Sequence, residues 1–393
     1  MHKEKKTRVL RIINRFNIGG PTYNAVFLTK KLSNKYETIL VGGAPEKTEA
    51  DSMHILEEYG VKAKILNEMK RTPSFFSDRK AYKELKKIIK EFKPDIVHTH
   101  ASKAGALGRK AASSCKVPII IHTFHGHVFH SYFGKIKTTI FKLIERYLAK
   151  KTTSIIAISE KQKEELSIEH EICPANKIKV IPLGFDLNRF KKNRPENRVK
   201  IRLKYKLDDN HIAICITGRL VPIKNHNFFL QVVNEVHKKT TKKLVFFIVG
   251  DGELYSDIER KTTTMKHHGI DIRMTSWVKK IDEFNAGMDI ICLTSDNEGT
   301  PVSLIEAQAS GVPVISTNVG GVSNIVKNNE TGFIVQKNDL KNYVSKLLTL
   351  IEEKELRSSF SSKGWDFVGK KYHYNTLVKN TESHYQKLLS EKK

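Results

Sequence analysis

The chain has 393 residues, 39% of them hydrophobic and 28% charged, which suits a soluble globular protein with two cores rather than one. No run of about 18 apolar residues occurs, which excludes a spanning helix, and the strand-length stretch Val9–Ile13 after a lysine-rich start is not expected to be a secretory signal. The net charge of +27, heavier in the first half, admits nucleic acid, an anionic membrane surface or acidic small substrates as partners, and a lysine-rich background would produce part of it without any partner.

Apolar, strand-like runs alternate with amphipathic segments along the whole chain, the pattern of parallel α/β sheets. In the first half the expected strands are Val9–Ile13, Thr38–Val41, Ala63–Ile65, Ile96–Thr99, Ile119–Thr123, Ser154–Ile158 and Lys179–Ile181, with helices such as Asn24–Ser33 and Arg79–Phe92 between them. The Lys-, Arg- and Asn-rich stretch Asn188–Arg202 reads as an interdomain linker. The alternation then restarts with Ile212–Thr217, Leu244–Val249, Ile272–Met274, Asp289–Leu293, Pro313–Ser316 and Phe333–Val335, separated by helices such as Asn227–Lys238, Val302–Ser310 and Leu340–Leu350. A final helix is expected from about Tyr372 to Leu389. The four cysteines, at 115, 173, 215 and 292, have no metal spacing and read as buried free thiols in a reducing compartment.

Ligands of open α/β sheets gather at the carboxyl ends of the strands, so chemistry is sought in the loops there. After the first strand comes Gly19-Gly20, where unencumbered amides could meet phosphate oxygens; by itself this is also what a tight turn looks like. After the first strand of the second half, Gly218-Arg219 and Lys224 place two cations on one loop, suited to a diphosphate or simply solvated. After Asp289–Leu293, the run Glu298-Gly299-Thr300-Pro301-Val302-Ser303…Glu306 opens a helix, with Thr300 expected as its N-cap and Pro301 at its first position. The amides of that turn suit a diphosphate, and carboxylates ahead of the helix and two turns into it suit hydroxyls at opposite ends of a sugar nucleotide.

Five histidines cluster at two adjacent strand ends, His98 and His100 on one and His122, His125 and His127 on the next. Alternating strand residues face opposite sides and no carboxylate accompanies them, so they are expected to line a crevice rather than hold zinc. The segment Phe129–Lys151 sets apolar residues at helical spacing beside a lysine-rich face with one acid, Glu145. It reads either as core packing or as a basic amphipathic helix for anionic lipid.

Taken together, these residues resemble the family 4 retaining glycosyltransferases of GT-B architecture, two Rossmann-like doubly wound domains facing a central cleft. The resemblance rests on Glu298…Glu306 with seven residues between, followed by Gly311-Val312-Pro313-Val314-Ile315 and Gly320-Gly321. Gly218-Arg219…Lys224, Gly250-Asp251-Gly252 and Pro182-Leu183-Gly184-Phe185-Asp186 accompany it. It implies an acceptor-binding domain over residues 1–187 with a returning helix at 372–393, and a donor-binding domain over 188–371. It implies Glu298 at the donor sugar, Glu306 at the ribose, and Arg219 and Lys224 at the diphosphate. Gly20 would meet the phosphates and His125 the transferred sugar.

The finer match of His98-Thr99-His100-Ala101-Ser102-Lys103-Ala104-Gly105 with His122–His127 resembles enzymes of bacterial surface polysaccharides and lipid-linked glycans. The implied activity is hexosyl or N-acetylhexosaminyl transfer from a nucleotide diphosphate sugar, UDP by general prevalence, to a glycan or polyprenyl-linked acceptor. Cations stabilise the leaving group, so no metal cofactor is expected. The expected location is cytoplasmic, with residues 129–151 as a peripheral contact on the inner face of the membrane. A sugar-nucleotide epimerase of the same architecture and a basic nucleic-acid-binding protein are the alternatives, and no nucleic-acid module is found for the second.

Overall fold

The structure, a computed structural model, describes residues 5–16, 20–45, 52–70, 72, 74–125 and 135–392. Gly19, His127 and the start of the amphipathic segment, residues 129–134, lie outside them, as do the side chains of Lys135 and Lys137. The chain divides into two compact units, residues 1–185 with 372–393, and residues 186–371. The expected division had placed Asp186 and Leu187 in the first unit.

The first unit runs β1 (Thr7–Arg15), α1 (Gly20–Lys30), β2 (Tyr36–Gly43), α2 (Met53–Glu58), β3 (Ala63–Ile65), α3 (Phe75–Phe92), β4 (Ile96–His100), α4 (Ser102–Ser114), β5 (Ile119–Phe124), α5 (Lys135–Lys150), β6 (Ser154–Ala157), α6 (Glu160–Glu164) and β7 (Ile178–Val180). Its seven strands order as β3-β2-β1-β4-β5-β6-β7, all parallel. Helices α3, α4 and α5 pack side by side in that order, while α1 packs on α15 (Tyr374–Ser390), the last helix of the chain. Leu377, Val378, Tyr385 and Leu388 of α15 share a core with Val9, Ile96 and Ile119.

The second unit runs α7 (Asn188–Lys191), α8 (Arg194–Lys204), β8 (His211–Thr217), α9 (His226–His237), β9 (Lys243–Val249), α10 (Tyr255–His267), β10 (Ile272–Met274), α11 (Ile281–Ala286), β11 (Ile290–Leu293), α12 (Val302–Ala309), β12 (Val314–Thr317), β13 (Gly332–Val335), α13 (Leu340–Glu352) and α14 (Lys354–Tyr372). Its six parallel strands order as β10-β9-β8-β11-β12-β13. The inner strands of both sheets are largely buried on both faces, as their near-continuous apolar sequences require, whereas the edge strands β3, β7 and β10 each keep partly exposed residues.

The expected linker 188–202 is instead helical and belongs to the second unit. Arg198 and Arg202 of α8 both bind Asp289 (2.7 and 3.1 Å), and Arg202 also donates to the carbonyl of His211 (2.8 Å). Its basic composition comes from these specific pairs, not from a flexible connection.

The lone acid of the amphipathic segment has a similar explanation. Glu145 of α5 accepts from the fully buried Arg109 of α4 at 2.7 Å, and Arg109 Nε donates to the Gly105 carbonyl. Removing Glu145 would leave a buried cation unpaired, so Glu145→Ala should cost about 3–5 kcal/mol in urea unfolding. The double variant Arg109→Met with Glu145→Leu should lose clearly less, because both charges leave together. Equal loss in the two would show that packing, not charge, governs this contact.

Candidate active site

Each sheet reverses its strand order once, between β1 and β4 in the first unit and between β8 and β11 in the second. Loops leaving two such strands diverge and open a crevice at the carboxyl edge. In the second unit these are the loops 218–225 and 294–301, which carry the residues singled out from the sequence.

The two loops are laced together. Thr294 Oγ1 donates to the carbonyls of Lys224 (3.2 Å) and Asn225 (3.1 Å), Asp296 N donates to the Ile223 carbonyl (2.8 Å), and Asn225 Nδ2 donates to Asp296 Oδ1 (3.2 Å). At the centre, Lys224 Nζ lies 2.5 Å from Glu298 Oε1, and Ser295 Oγ donates to the same oxygen at 2.6 Å. Ser295, Thr294 and Asn225 were not singled out from the sequence; small polar residues at strand ends carry no signal of their own. Gly320 has φ 52°, and a Cβ there would fall 1.6 Å from the Glu298 carbonyl, so the second glycine-rich turn exists to let the Glu298 loop pass. Gly321 N also donates to that carbonyl, at 3.0 Å.

Arg219 stands exposed on its loop. Gly218 is open: an added Cβ would meet only Lys224 at ordinary contact distance. Helix α12 differs from expectation by one residue. Pro301, not Thr300, is the N-cap, and no side chain caps the helix, so Thr300 is a loop residue ahead of it. Pro301 carries no N–H and no side-chain acceptor, which leaves the first-turn amides beginning at Val302 and Ser303 free of a side-chain cap. Helix N-termini whose amides lack such a cap are a common kind of anion-binding feature. Glu306 lies in the following turn, among the buried Leu304, Ile305 and Ala307. Burial pushes its carboxyl up to about 7, against the pull of nearby Arg189.

In the first unit, Gly20 opens α1, and Asn24 one turn later ties it to the Pro182–Phe185 segment. Asn24 Nδ2 donates to the carbonyls of Gly20 (2.9 Å) and Gly184 (3.2 Å), and its Oδ1 accepts from Gly184 N (3.1 Å). The β4–β5 register pairs His98 with Ile121 and His100 with Thr123, which sorts the histidines by face. On one face His98 bonds Tyr385 (2.6 Å) and Thr123 (2.7 Å), and His100 Nδ1 lies 2.9 Å from His125 Nε2. On the other, His122 Nδ1 bonds Thr99 Oγ1 at 2.8 Å. Gly105 of α4 makes room for it, since a Cβ there would lie 2.4 Å from the His122 ring. Among the described residues no three His, Cys, Asp or Glu side chains are grouped as metal ligands.

Burial lowers all four imidazoles, His98, His100 and His122 well below their ordinary value and His125 to about 3. They are neutral in the folded protein at pH 7, whereas in the unfolded chain they take up protons near 6.5. The unfolded state therefore binds more protons below pH 6.5, and stability should fall as pH drops from there. Each histidine contributes at most about 1.4 kcal/mol per pH unit and is half protonated in the unfolded chain at pH 6.5, so on urea unfolding these four should take up about two protons at pH 6.5, rising to between roughly three and four at pH 5.5. Uptake of fewer than one would mean that these rings are protonated or solvated when folded.

Residues 18–189 match the family described as Glycosyltransferase Family 4, and residues 197–366 match Glycosyl transferases group 1. A UDP-Gal:alpha-D-GlcNAc-diphosphoundecaprenol alpha-1,3-galactosyltransferase of Escherichia coli is 34% identical over 75% of this chain and 76% of its own. The capsular polysaccharide biosynthesis glycosyltransferase CapM of Staphylococcus aureus is 31% identical over 86% and 88%. Among solved structures, a glycosyltransferase from Rickettsia africae superposes with a TM-score of 0.81 at 21% identity, covering 98% of this chain and 99% of its own. Anabaena HepE, solved in complex with UDP, gives 0.80 at 16% identity over 97% and 100%. With two parallel-sheet units, the paired loops of Lys224 and Glu298, and relatives above 30% identity over most of the chain, this protein belongs to the family 4 glycosyltransferases of GT-B fold.

Proposed function

We propose that the protein is a retaining glycosyltransferase that moves a hexosyl or N-acetylhexosaminyl group from a UDP-linked donor to a glycan or polyprenyl-linked acceptor in the synthesis of a bacterial surface polysaccharide. The observation that carries this reading is Lys224 held against Glu298 beside the uncapped start of α12, at the strand-order reversal of the second unit. The similarity to transferases named for undecaprenol-linked and capsular glycans supports the acceptor class, and structural likeness to a UDP complex supports the nucleotide.

In this reading the second unit binds the donor. Arg219, Lys224 and the amides at Val302 and Ser303, with Thr300 and Pro301 shaping the turn, hold the diphosphate. Glu306 takes the ribose hydroxyls, and Glu298 takes hydroxyls of the donor sugar. The bond from the anomeric carbon to the β-phosphate oxygen breaks, and the negative charge that develops meets fixed cations and amides. With those groups in place no divalent metal is required. The acceptor oxygen bonds to the same face of the anomeric carbon, and its proton passes to the departing phosphate, so no protein nucleophile is used. The first unit carries the acceptor site, and of its described residues Gly20 is assigned to the phosphates and His125 to the transferred sugar.

UDP should raise the unfolding temperature more than GDP, with a stabilisation of about 2.7 kcal/mol at a hundred times its Kd. Lys224→Ala should weaken UDP binding roughly 10- to 100-fold, and Glu298→Ala should abolish transfer in a protein that remains folded. Proton NMR of the product should show the donor's anomeric configuration retained. Near-normal turnover in both variants, or an epimerised free nucleotide sugar as the product, would overturn the assignment.

We also propose that α5 docks on anionic lipid. Ile136 (80%), Ile140 (51%), Leu143 (56%) and Tyr147 (54%) are exposed along one side of this helix, at spacings of four, three and four residues. Such a stripe costs free energy in water, and the lysines in the sequence of the same helix suit lipid phosphates. Liposomes of phosphatidylglycerol should bind the protein and release it at high salt, and Lys135→Glu, Lys137→Glu and Lys142→Glu together should abolish binding. Salt-insensitive or absent binding would remove this idea.

A further inference from the structure

Two of the strand-end histidines form a unit whose consequence goes beyond either ring alone. His100 and His125 share one hydrogen bond, Nδ1 to Nε2 at 2.9 Å. Their other nitrogens, His100 Nε2 and His125 Nδ1, are buried without a hydrogen-bond partner. Both rings line a small cavity of about 10 Å³, with Asn24, Thr123 and Thr381 among its other walls. That is room for a single water or hydroxyl oxygen.

Because burial keeps both rings neutral, each carries one ring proton. The shared bond consumes one N–H and one lone pair, which leaves two arrangements. If His100 Nδ1–H donates, His125 must hold its proton on Nδ1 and present a donor. If His125 Nε2–H donates, its Nδ1 presents only a lone pair. The tautomers are thus locked together, and whether His125 Nδ1 is a donor or an acceptor is set by His100.

His100 is itself held firmly. Its ring stacks on His98 at 4.3 Å between centroids, and His98 is fixed at both nitrogens by Tyr385 and Thr123. Tyr385 in turn accepts from the buried Arg11 at 3.5 Å. Ala101, immediately after His100, has φ 66°, a strained conformation for a residue with a side chain, which turns the chain sharply away from the strand end. The chain Arg11–Tyr385–His98–His100–His125 therefore runs from the core, through the last helix, to the crevice.

We infer that His100 is a positioning residue that donates from Nδ1 to His125 and so fixes His125 Nδ1–H as a donor to the single oxygen, of a water or a sugar hydroxyl, that the adjoining cavity admits. This rests on the reading that His125 meets the transferred sugar. A donor is the useful form there, since the hydroxyl oxygens of a sugar accept hydrogen bonds. Left to itself in water, an imidazole favours the opposite tautomer, protonated on Nε2.

The test uses the full chain with His100→Leu, His100→Asn and His125→Ala, each checked for an unchanged fold by thermal unfolding. Long-range ¹⁵N spectra of histidine-labelled, ligand-free protein should show His125 protonated on Nδ1 in the wild type and moving to Nε2 in His100→Leu. Turnover is measured with whichever of UDP-galactose, UDP-glucose and UDP-N-acetylglucosamine stabilises the wild type most. His100→Leu should lower kcat roughly tenfold, the value of one ordinary hydrogen bond, with KM for the UDP-sugar little changed. His100→Asn, whose amide can donate from the Nδ1 position, should recover most of the loss. An unchanged His125 tautomer in His100→Leu, or Asn no better than Leu, would overturn the inference. Full turnover in His125→Ala would overturn the underlying reading instead, while the spectra would still judge the coupling of the two rings.

Discussion

Every strand pairing among the described residues is parallel, and most of the functional geometry follows from that constraint. Parallel neighbours cannot be joined by a tight turn, so the chain returns across a sheet face after each strand. All carboxyl ends then lie along one edge. Segments far apart in sequence become adjacent there: 218–225 with 294–301 in one unit, and 98–101 with 122–125 in the other.

The two edges use opposite electrostatics. In the second unit charge is kept in place by charge: Lys224 neutralises Glu298, and Ser295 and the neighbouring backbone hold the pair in register. The cation is thus ordered before any ligand arrives, and the helix end nearby has no side-chain cap. In the first unit charge is removed. Desolvation strips protons from the histidines, so they act there as directional hydrogen-bonding groups rather than as cations.

The high basic charge resolves into parts with different jobs. Some of it is structural, as with Arg109 against Glu145 and Arg198 and Arg202 against Asp289. Arg219 and Lys224 stand at the loops of the candidate site. On α5, exposed apolar residues share the helix with lysines, a combination that neither a core nor a solvated face calls for. Bulk charge alone could not distinguish these uses, because it records how many cations there are and not what stands opposite them.

The strand pattern was legible because parallel strands covered on both faces are largely apolar, and each of the thirteen strands among the described residues overlaps a run expected from the sequence. The family followed from Glu298…Glu306 and the glycine turns, where local backbone geometry limits the residues that fit. Stretch 188–202 was misread because a basic, proline-containing segment looks alike as linker or helix until partners such as Asp289 are known, and the start of α12 was set one residue early because Thr300 has the chemistry of a cap whether or not its side chain is used as one. What the sequence determined was local: which segments are strands, where backbones must pass closely, and which loops hold charge. What only the tertiary structure decided was pairing across distance, Lys224 with Glu298, His100 with His125, and Tyr385 of the last helix with His98 of the fourth strand. Such pairs depend on strand order and register, which arise from packing the whole chain and leave no periodic trace along it.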